Sequence, residues 1–158
     1  MVTLVLVRHA KSDWGDPGLA DHDRPLNERG LRDAPQMAQR LADTGFRPDA
    51  ILSSTALRAR TTAQFFGERL GVGVSLEPEL YGAGPRILFD RAAATGLDAV
   101  LVVAHDPGMS ALAGRLSDDA IGHMPTCAVA MFFWPVEDWD VVVAPAASWT
   151  FDEPRASR

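Results

Sequence analysis

Short apolar runs alternate with longer amphipathic segments over most of the chain. The runs at residues 3–7 and 99–104 are uninterrupted and rich in valine and leucine, which is typical of strands buried on both faces of a parallel sheet. Weaker runs predict two more strands, at residues 49–53 and 72–77. Between the runs, apolar residues recur at helical spacing, and helices are predicted over residues 28–44, 56–70, 85–95 and 107–116. This alternation predicts an α/β fold with a mostly parallel sheet.

The last third of the chain has a different pattern. Two apolar and aromatic runs, residues 128–134 and 139–144, are separated by a turn that is too short for a crossover helix. We therefore expect an antiparallel pair of strands at one edge of the sheet. The charged tail at residues 152–158 is expected to be flexible, so the predicted domain spans residues 1–151.

Composition favours one domain without a membrane or nucleic-acid partner. The chain has 158 residues, 47% of them hydrophobic, which is enough for one core of ordinary size. Its net charge of −6 disfavours nucleic acid and anionic membranes, so phosphate chemistry would need a local basic pocket. Cys127 is alone, which excludes an internal disulfide and a cysteine-based zinc site and fits a reducing compartment. Because Arg8 interrupts the N-terminal apolar stretch and no run approaches roughly 20 apolar residues, we expect a soluble, cytoplasmic protein.

Two of the predicted strands end in a histidine. Arg8 and His9 follow the first strand, and His105 follows the strand at residues 99–104. Either histidine alone could be a polar residue at the boundary of the core. The carboxyl ends of parallel strands, however, meet at the edge where open α/β sheets bind their ligands. We therefore expect both imidazoles and the Arg8 guanidinium to lie together.

The second strand adds an arginine to the same edge. It leads into a helix whose first turn contains Arg58, whereas Arg60 points roughly 200° away around that helix. Taken alone, Arg58 would be interpreted as a solvent-exposed residue on the surface of its helix. Asp106 is interpreted as a cap of the helix that follows His105, because a carboxylate directed at a phosphate would repel it. The backbone N–H groups at the start of that helix would favour an anion.

These residue types fit phosphoryl transfer. Guanidinium groups match phosphoryl oxygens and keep their charge near neutral pH. An imidazole is a competent nucleophile when one nitrogen is unprotonated and the other is fixed by a hydrogen bond. We predict that His9 attacks phosphorus and forms a phosphohistidine intermediate, and that the reaction needs no metal ion or other cofactor because the arginines neutralise the phosphoryl oxygens.

Four segments resemble the histidine phosphatase superfamily, and among its branches the small SixA-like phosphohistidine phosphatases. The segments read VRHAKS at residues 7–12, RPLNERG at 24–30, SSTALRARTT at 53–62 and HDPG at 105–108. The resemblance implies a three-layer α/β/α sandwich. It further implies that His9 is the residue that becomes phosphorylated, and that the phosphoryl group is held by Arg8, Arg58 and His105.

Two departures from that family pattern bear on the substrate. Ala10 replaces the glycine that commonly follows the histidine, which adds only a methyl group. Where mutase-like members carry a glutamate as general acid, this chain has Tyr81-Gly82 after Leu80; Glu77 and Glu79 are nearby but are interpreted as surface residues. Without an acid, an alkoxide is hard to expel, whereas the imidazole nitrogen of a phosphoramidate is protonated more easily. The short loops on either side of the site also favour a phosphate carried on a protein surface.

The sequence thus predicts a phosphatase for phosphohistidine in a partner protein, such as a histidine phosphotransfer domain. One alternative is a phosphomonoesterase for nucleotides or small phosphorylated metabolites, which a carboxylate on the leaving-group side of His9 would favour. Another is a non-catalytic module that binds phosphoproteins, although binding alone would not require the nucleophile. The sequence leaves open whether Glu77, Glu79 or no residue acts as the acid, and which oligomer forms.

Overall fold

A computed structural model describes residues 1–142 and 144–154, and in this part of the chain six strands form one sheet with helices on both faces. The strands are β1 (Val2–Arg8), β2 (Ala50–Ser53), β3 (Val74–Leu76), β4 (Ala99–Ala104), β5 (Val129–Trp134) and β6 (Ser148–Asp152). The helices are α1 (Glu28–Asp43), α2 (Leu57–Leu70), α3 (Pro85–Ala93) and α4 (Gly108–Leu116). Single 3-10 turns are found at Asp21–Asp23, Pro78–Leu80 and Trp139–Val141. None of the helices in these residues is both long and apolar enough to cross a membrane.

The strand order, β3-β2-β4-β1-β5-β6, brings the ends of three strands together. Strands β1 to β4 are parallel, whereas β5 is antiparallel to both β1 and β6. The predicted α/β class, with a mostly parallel sheet and an antiparallel edge, is therefore confirmed. Strand β4 lies between β1 and β2, with Ala104 opposite Arg8 and Val103 opposite Ser53. The carboxyl ends of β1, β4 and β2 are consequently neighbours.

Alternate residues of the central strands enter two hydrophobic clusters, one on each face of the sheet. Leu4 and Leu6 of β1 belong to the cluster that contains Met109 of α4, while Val5 belongs to the cluster that contains Phe66 of α2. Helices α1 and α2 thus cover one face, and α3 and α4 cover the other. Because β1 is covered on both faces, its residues are apolar without interruption, which explains the pattern in the sequence.

The strand predicted at residues 139–144 is wrong. Trp139 starts a 3-10 turn, and its buried indole N–H donates to the Leu97 carbonyl at 2.6 Å. Its ring packs against Phe89 of α3, with ring centroids 5.7 Å apart. The apolar character of Trp139 therefore reflects packing against α3 rather than membership of the sheet. Val143 lies outside the described residues.

The antiparallel partner of β5 is instead β6. Trp149 lies opposite Phe132 in this pair, which supplies the predicted antiparallel edge from later residues. Asp152, where the predicted tail begins, is the last residue of β6, and its carboxylate pairs with the Arg40 guanidinium of α1. Residues 155–158 of that tail lie outside the described part of the chain.

Candidate active site

The four residues singled out from the sequence meet at the carboxyl edge of the sheet. Arg8 ends β1 and is followed by His9, His105 follows β4, and Arg58 is the second residue of α2. The rings of His9 and His105 lie 5.0 Å apart between centroids, and both rings and the Arg58 side chain are buried. We call these four residues the pocket. Arg60 is exposed, as its position on the helix predicts.

His9 has the tautomer that a nucleophile needs. Its Nδ1 lies 2.7 Å from the carbonyl oxygen of Ala10, which can only accept a hydrogen bond. Nδ1 therefore carries the hydrogen, and Nε2 keeps its lone pair. Burial lowers the pKa of His9 to about 4, and the positive charges of Arg58 and Arg8 act in the same direction, so the ring is neutral near pH 7.

His105 is held by the loop that leads into α2. Its Nε2 lies 2.8 Å from the Ser54 hydroxyl, which also accepts a hydrogen bond from the backbone N–H of Ala56. With Ala56 donating to it, that hydroxyl can donate its own hydrogen to Nε2, which leaves the hydrogen of a neutral His105 on Nδ1. Burial, followed by the neighbouring His9, lowers the pKa of His105 to about 3.

Arg8 is fixed at the pocket by a backbone carbonyl and by the carboxylate of Asp106. The Nη1 of Arg8 donates to the Met124 carbonyl at 2.9 Å and lies 3.7 Å from a carboxylate oxygen of Asp106. Asp106 accepts hydrogen bonds from both the backbone N–H and the hydroxyl of Ser110 in the first turn of α4. Asp106 therefore binds an N–H of the first turn, as its interpretation as a cap requires, although the N-cap residue of α4 is Pro107 and the helix begins at Gly108.

A second carboxylate at the pocket, that of Asp21, was not indicated by the sequence. Arg58 donates from Nη1 to the Asp21 carbonyl at 2.7 Å and from Nη2 to its Oδ2 at 3.0 Å. Arg24 donates to Oδ1 from Nε and Nη2, at 3.1 and 3.0 Å, and the Tyr81 hydroxyl donates to Oδ2 at 2.6 Å. The hydrogen bond from Tyr81, and after it those from Arg58 and Arg24, hold the pKa of Asp21 well below its usual range.

Three buried nitrogens of the pocket have no hydrogen-bond partner. They are Nε of Arg8, Nε of Arg58 and Nδ1 of His105, and no other described buried side-chain nitrogen or oxygen shares this condition. Buried polar groups are normally paired, because an unpaired group costs about 1–3 kcal/mol. Their concentration in one place is the property expected of a site that binds an anion.

Two glycines allow the loops around the pocket to approach their helices. A Cβ at Gly30 of α1 would lie 2.2 Å from the Lys11 carbonyl oxygen, and a Cβ at Gly108 of α4 would lie 2.2 Å from that of Ala83. Either contact is impossible for a real side chain, so both positions require glycine. The buried Ala10, by contrast, fits without difficulty, and its N–H donates to Thr62 at 3.0 Å.

Of the other polar residues near the site, the sequence analysis predicted the position of one and missed three. Glu79 pairs with Arg91 at 3.1 Å on the surface, as its interpretation as a surface residue predicts. Arg24 was missed as a site residue although it lies in one of the segments that carry the family resemblance. Tyr81 and Asp21 were missed because their contact joins two loops that are far apart in sequence. Within residues 1–142 and 144–154, no three His, Cys, Asp or Glu side chains form a group that could hold a metal ion.

Comparisons with known proteins indicate one family. Residues 4–82 match the sequence profile of the histidine phosphatase superfamily (branch 1). An uncharacterized protein of Mycobacterium tuberculosis is 41% identical over 109 residues, which cover 68% of this chain and 67% of that protein.

Two solved structures of similar chains have been assigned as phosphohistidine phosphatases named SixA. The structure from Agrobacterium tumefaciens is 35% identical in sequence to this chain and has a TM-score of 0.78. The alignment covers 84% of this chain and 92% of the Agrobacterium chain. The structure from Nakamurella multipartitia is 31% identical in sequence to this chain and has a TM-score of 0.72. The alignment covers 82% of this chain and 83% of the Nakamurella chain.

Proposed function

Because the chain belongs to the histidine phosphatase superfamily, we propose that it is a phosphatase that hydrolyses phosphohistidine in a partner protein. The observation that carries the proposal is the pocket itself. It combines a neutral imidazole, whose Nε2 is free, with three buried nitrogens that have no partner in the protein. The imidazole is suited to attack on phosphorus, and the three buried nitrogens are suited to bind the oxygens of a phosphoryl group.

In the proposed reaction the phosphoryl oxygens bind to Arg8, Arg58 and His105. The lone pair on Nε2 of His9 forms a bond to phosphorus, while the bond from phosphorus to the leaving nitrogen breaks and its electron pair stays on that nitrogen. The oxygen of a water molecule then bonds to phosphorus, the bond from phosphorus to Nε2 breaks, and its electron pair returns to the ring. The protons of the water leave with the inorganic phosphate, and His9 is again neutral. The hydrogen bond from Nδ1 to Ala10 keeps the ring oriented throughout.

A phosphohistidine substrate is supported by the state of Asp21, the carboxylate that is bound to Arg58. Asp21 stays ionised near neutral pH, and Glu79 is engaged with Arg91 on the surface. A missing proton donor costs about 10²- to 10⁴-fold on a substrate that needs one. The assignment of the Agrobacterium and Nakamurella structures supports the same substrate class. We place the partner protein, such as a histidine phosphotransfer domain, in the cytoplasm, where the free thiol of Cys127 stays reduced.

One observation favours a phosphomonoesterase as the second candidate. A carboxylate, that of Asp21, does lie beside the pocket, and a protonated carboxyl there could deliver a proton to an alkoxide. Its lowered pKa counts against this role. Comparison of kcat/KM on a phosphohistidine protein, a phosphoserine peptide and a nucleotide monophosphate separates the two candidates.

We also propose that the reaction needs no metal ion. In other phosphoryl-transfer enzymes Mg²⁺ neutralises the charge on the phosphoryl oxygens. The fixed positive charges of Arg8 and Arg58 perform that task here, since both guanidiniums adjoin His9 closely enough to lower its pKa.

The test of the covalent mechanism is His9→Ala. A rapid acid-free quench of the parent protein with labelled phosphohistidine is expected to trap an acid-labile, alkali-stable phosphoenzyme, and the variant is expected to give neither phosphoenzyme nor turnover. Arg60→Ala is the control, because Arg60 is exposed and lies in the same helix as Arg58 but outside the pocket. Full activity in His9→Ala would rule the mechanism out.

A further inference from the structure

Asp21 is more accessible than the guanidiniums that it binds. Its side chain is 50% exposed, whereas the side chains of Arg24 and Arg58 are 8% and 7% exposed. The carboxylate is bound to Arg58 and is half exposed, so it lies at the solvent-facing side of the pocket. Arg58 is also fixed by the backbone carbonyl of Asp21, so holding Arg58 does not by itself require a carboxylate.

One of the four hydrogen bonds to this carboxylate is replaceable. Three come from the two buried guanidiniums, and the fourth comes from the hydroxyl of Tyr81, whose side chain is among the exposed large residues. A neutral phenol is a weaker donor to a carboxylate than a cationic N–H group is. An entering cation with an N–H donor can therefore displace the Tyr81 hydroxyl from Oδ2.

We propose that Asp21 is a specificity-determining residue, whose carboxylate accepts a hydrogen bond from the free ring N–H of a protonated phosphohistidine and thereby selects phosphoramidates over phosphate esters. The proposal rests on the proposed function, because it concerns the leaving group of the same reaction at His9.

The chemistry of the leaving group requires this proton. When the ring nitrogen that is not phosphorylated carries a hydrogen, the ring is a cation, and cleavage of the N–P bond returns its electron pair to the ring. A neutral imidazole then leaves, and no proton has to reach the departing nitrogen. When that hydrogen is absent, the leaving group is an imidazolate anion, which is far more basic. An adjacent carboxylate keeps the cationic form populated.

The low pKa of Asp21 is an advantage in this role. A general acid must be protonated before the reaction, whereas a partner for a cationic ring must be ionised, and the hydrogen bonds to Asp21 hold it in the ionised form. The same negative charge repels an alkoxide as it develops on the leaving oxygen of an ester. Asp21 therefore favours one class of leaving group and disfavours the other.

The test is the ratio of kcat/KM on a phosphohistidine peptide to kcat/KM on p-nitrophenyl phosphate. Asp21→Asn is expected to lower this ratio about ten- to hundredfold, the loss typical of a hydrogen bond between charged groups. Asp21→Glu is expected to restore part of it. Asp23→Asn is the matched control, because Asp23 lies in the same 3-10 turn with a side chain that is 65% exposed.

The pH dependence separates this role from a structural one. The parent rate on phosphohistidine is expected to fall at alkaline pH as the bound substrate ring loses its proton, and Asp21→Asn is expected to move that fall to lower pH. Around Asp21, Arg24 and Arg58 carry fixed charge, and the hydrogen bond to Asp21 raises the pKa of Tyr81, which keeps the phenol protonated. Titration of His9 and His105 affects both substrates and cancels in the ratio.

Each outcome identifies what has failed. Equal losses on both substrates, with an unmoved alkaline limb, would mean that Asp21 only supports Arg58 and would overturn the proposal. A parent protein that forms the His9 phosphoenzyme from p-nitrophenyl phosphate but leaves phosphohistidine intact would overturn the proposed substrate instead. A parent protein without a His9 phosphoenzyme would overturn the proposed mechanism.

Discussion

Acidification from about pH 7.5 to about pH 5 is expected to destabilise the fold through its two buried histidines. Burial is the largest cause of the lowered pKa values, which are about 4 for His9 and about 3 for His105 against 6.5 for an ordinary histidine. In this range the unfolded chain binds protons at both positions while the native chain does not. Stability rises with pH wherever the unfolded state binds more protons than the native state, so acidification lowers the stability of this fold.

The magnitude follows from the distance between the pH and the unfolded pKa. One pKa unit is worth about 1.4 kcal/mol, and pH 5 lies about 1.5 units below the ordinary value for histidine. Each ring therefore costs about 2 kcal/mol at that pH, and the two together cost about 4 kcal/mol. The window lies above the ordinary pKa values of Asp and Glu, about 4, so the carboxylates contribute little to the change.

Urea unfolding at both pH values and at equal ionic strength measures this loss. His9→Asn and His105→Asn are each expected to remove about half of the pH dependence. Each variant removes one of the two histidines whose pKa differs between the native and the unfolded chain. A loss below about 1 kcal/mol in the parent protein, or an undiminished loss in both variants, would refute the reasoning.

Two further predictions concern the anion site and the packing around it. Chelation of divalent ions is expected to leave kcat/KM unchanged, and tungstate or vanadate is expected to compete with substrate for the guanidiniums; activity that returns only when a divalent ion is added back would contradict this. Gly108→Ala is expected to lower the free energy of unfolding by about 1–3 kcal/mol, because the new Cβ would lie 2.2 Å from the Ala83 carbonyl oxygen. Gly73→Ala, whose Cβ meets no heavy atom within 4 Å, is the control, and an equal loss there would count against the packing argument.

The parts of the fold that could be predicted are those governed by burial on the sheet. The run at β4 is apolar because both of its faces are covered, and its end had to lie beside the end of β1 once both were parallel and central. That reasoning was sufficient to bring His9 and His105 together. It failed at Trp139, since an apolar segment that packs beneath a helix has the same local composition as a strand.

Contacts between loops have no comparable signature. Asp21 meets Tyr81 across 60 positions of sequence, and neither residue belongs to a periodic segment. Asp21 follows β1 and Tyr81 follows β3, and only the parallel arrangement of β1, β4, β2 and β3 in one sheet brings these two loops to the same edge. The residues expected to set substrate preference are therefore those that the sequence pattern indicated least.

The lowered pKa values of the two histidines also limit the positive charge of the empty pocket, although the pocket is built to bind an anion. Neutral rings leave Nε2 of His9 free to attack and let His105 present a donor, while the permanent charge comes from the guanidiniums of Arg8 and Arg58. A bound phosphoryl group places negative charge beside His105 and must raise its pKa, so the ring is drawn toward its cationic form only when the anion is present. The guanidiniums and His105 then surround the phosphoryl oxygens from fixed positions in the fold, and this preorganised set of donors stabilises the phosphoryl group as it passes from the leaving nitrogen to His9.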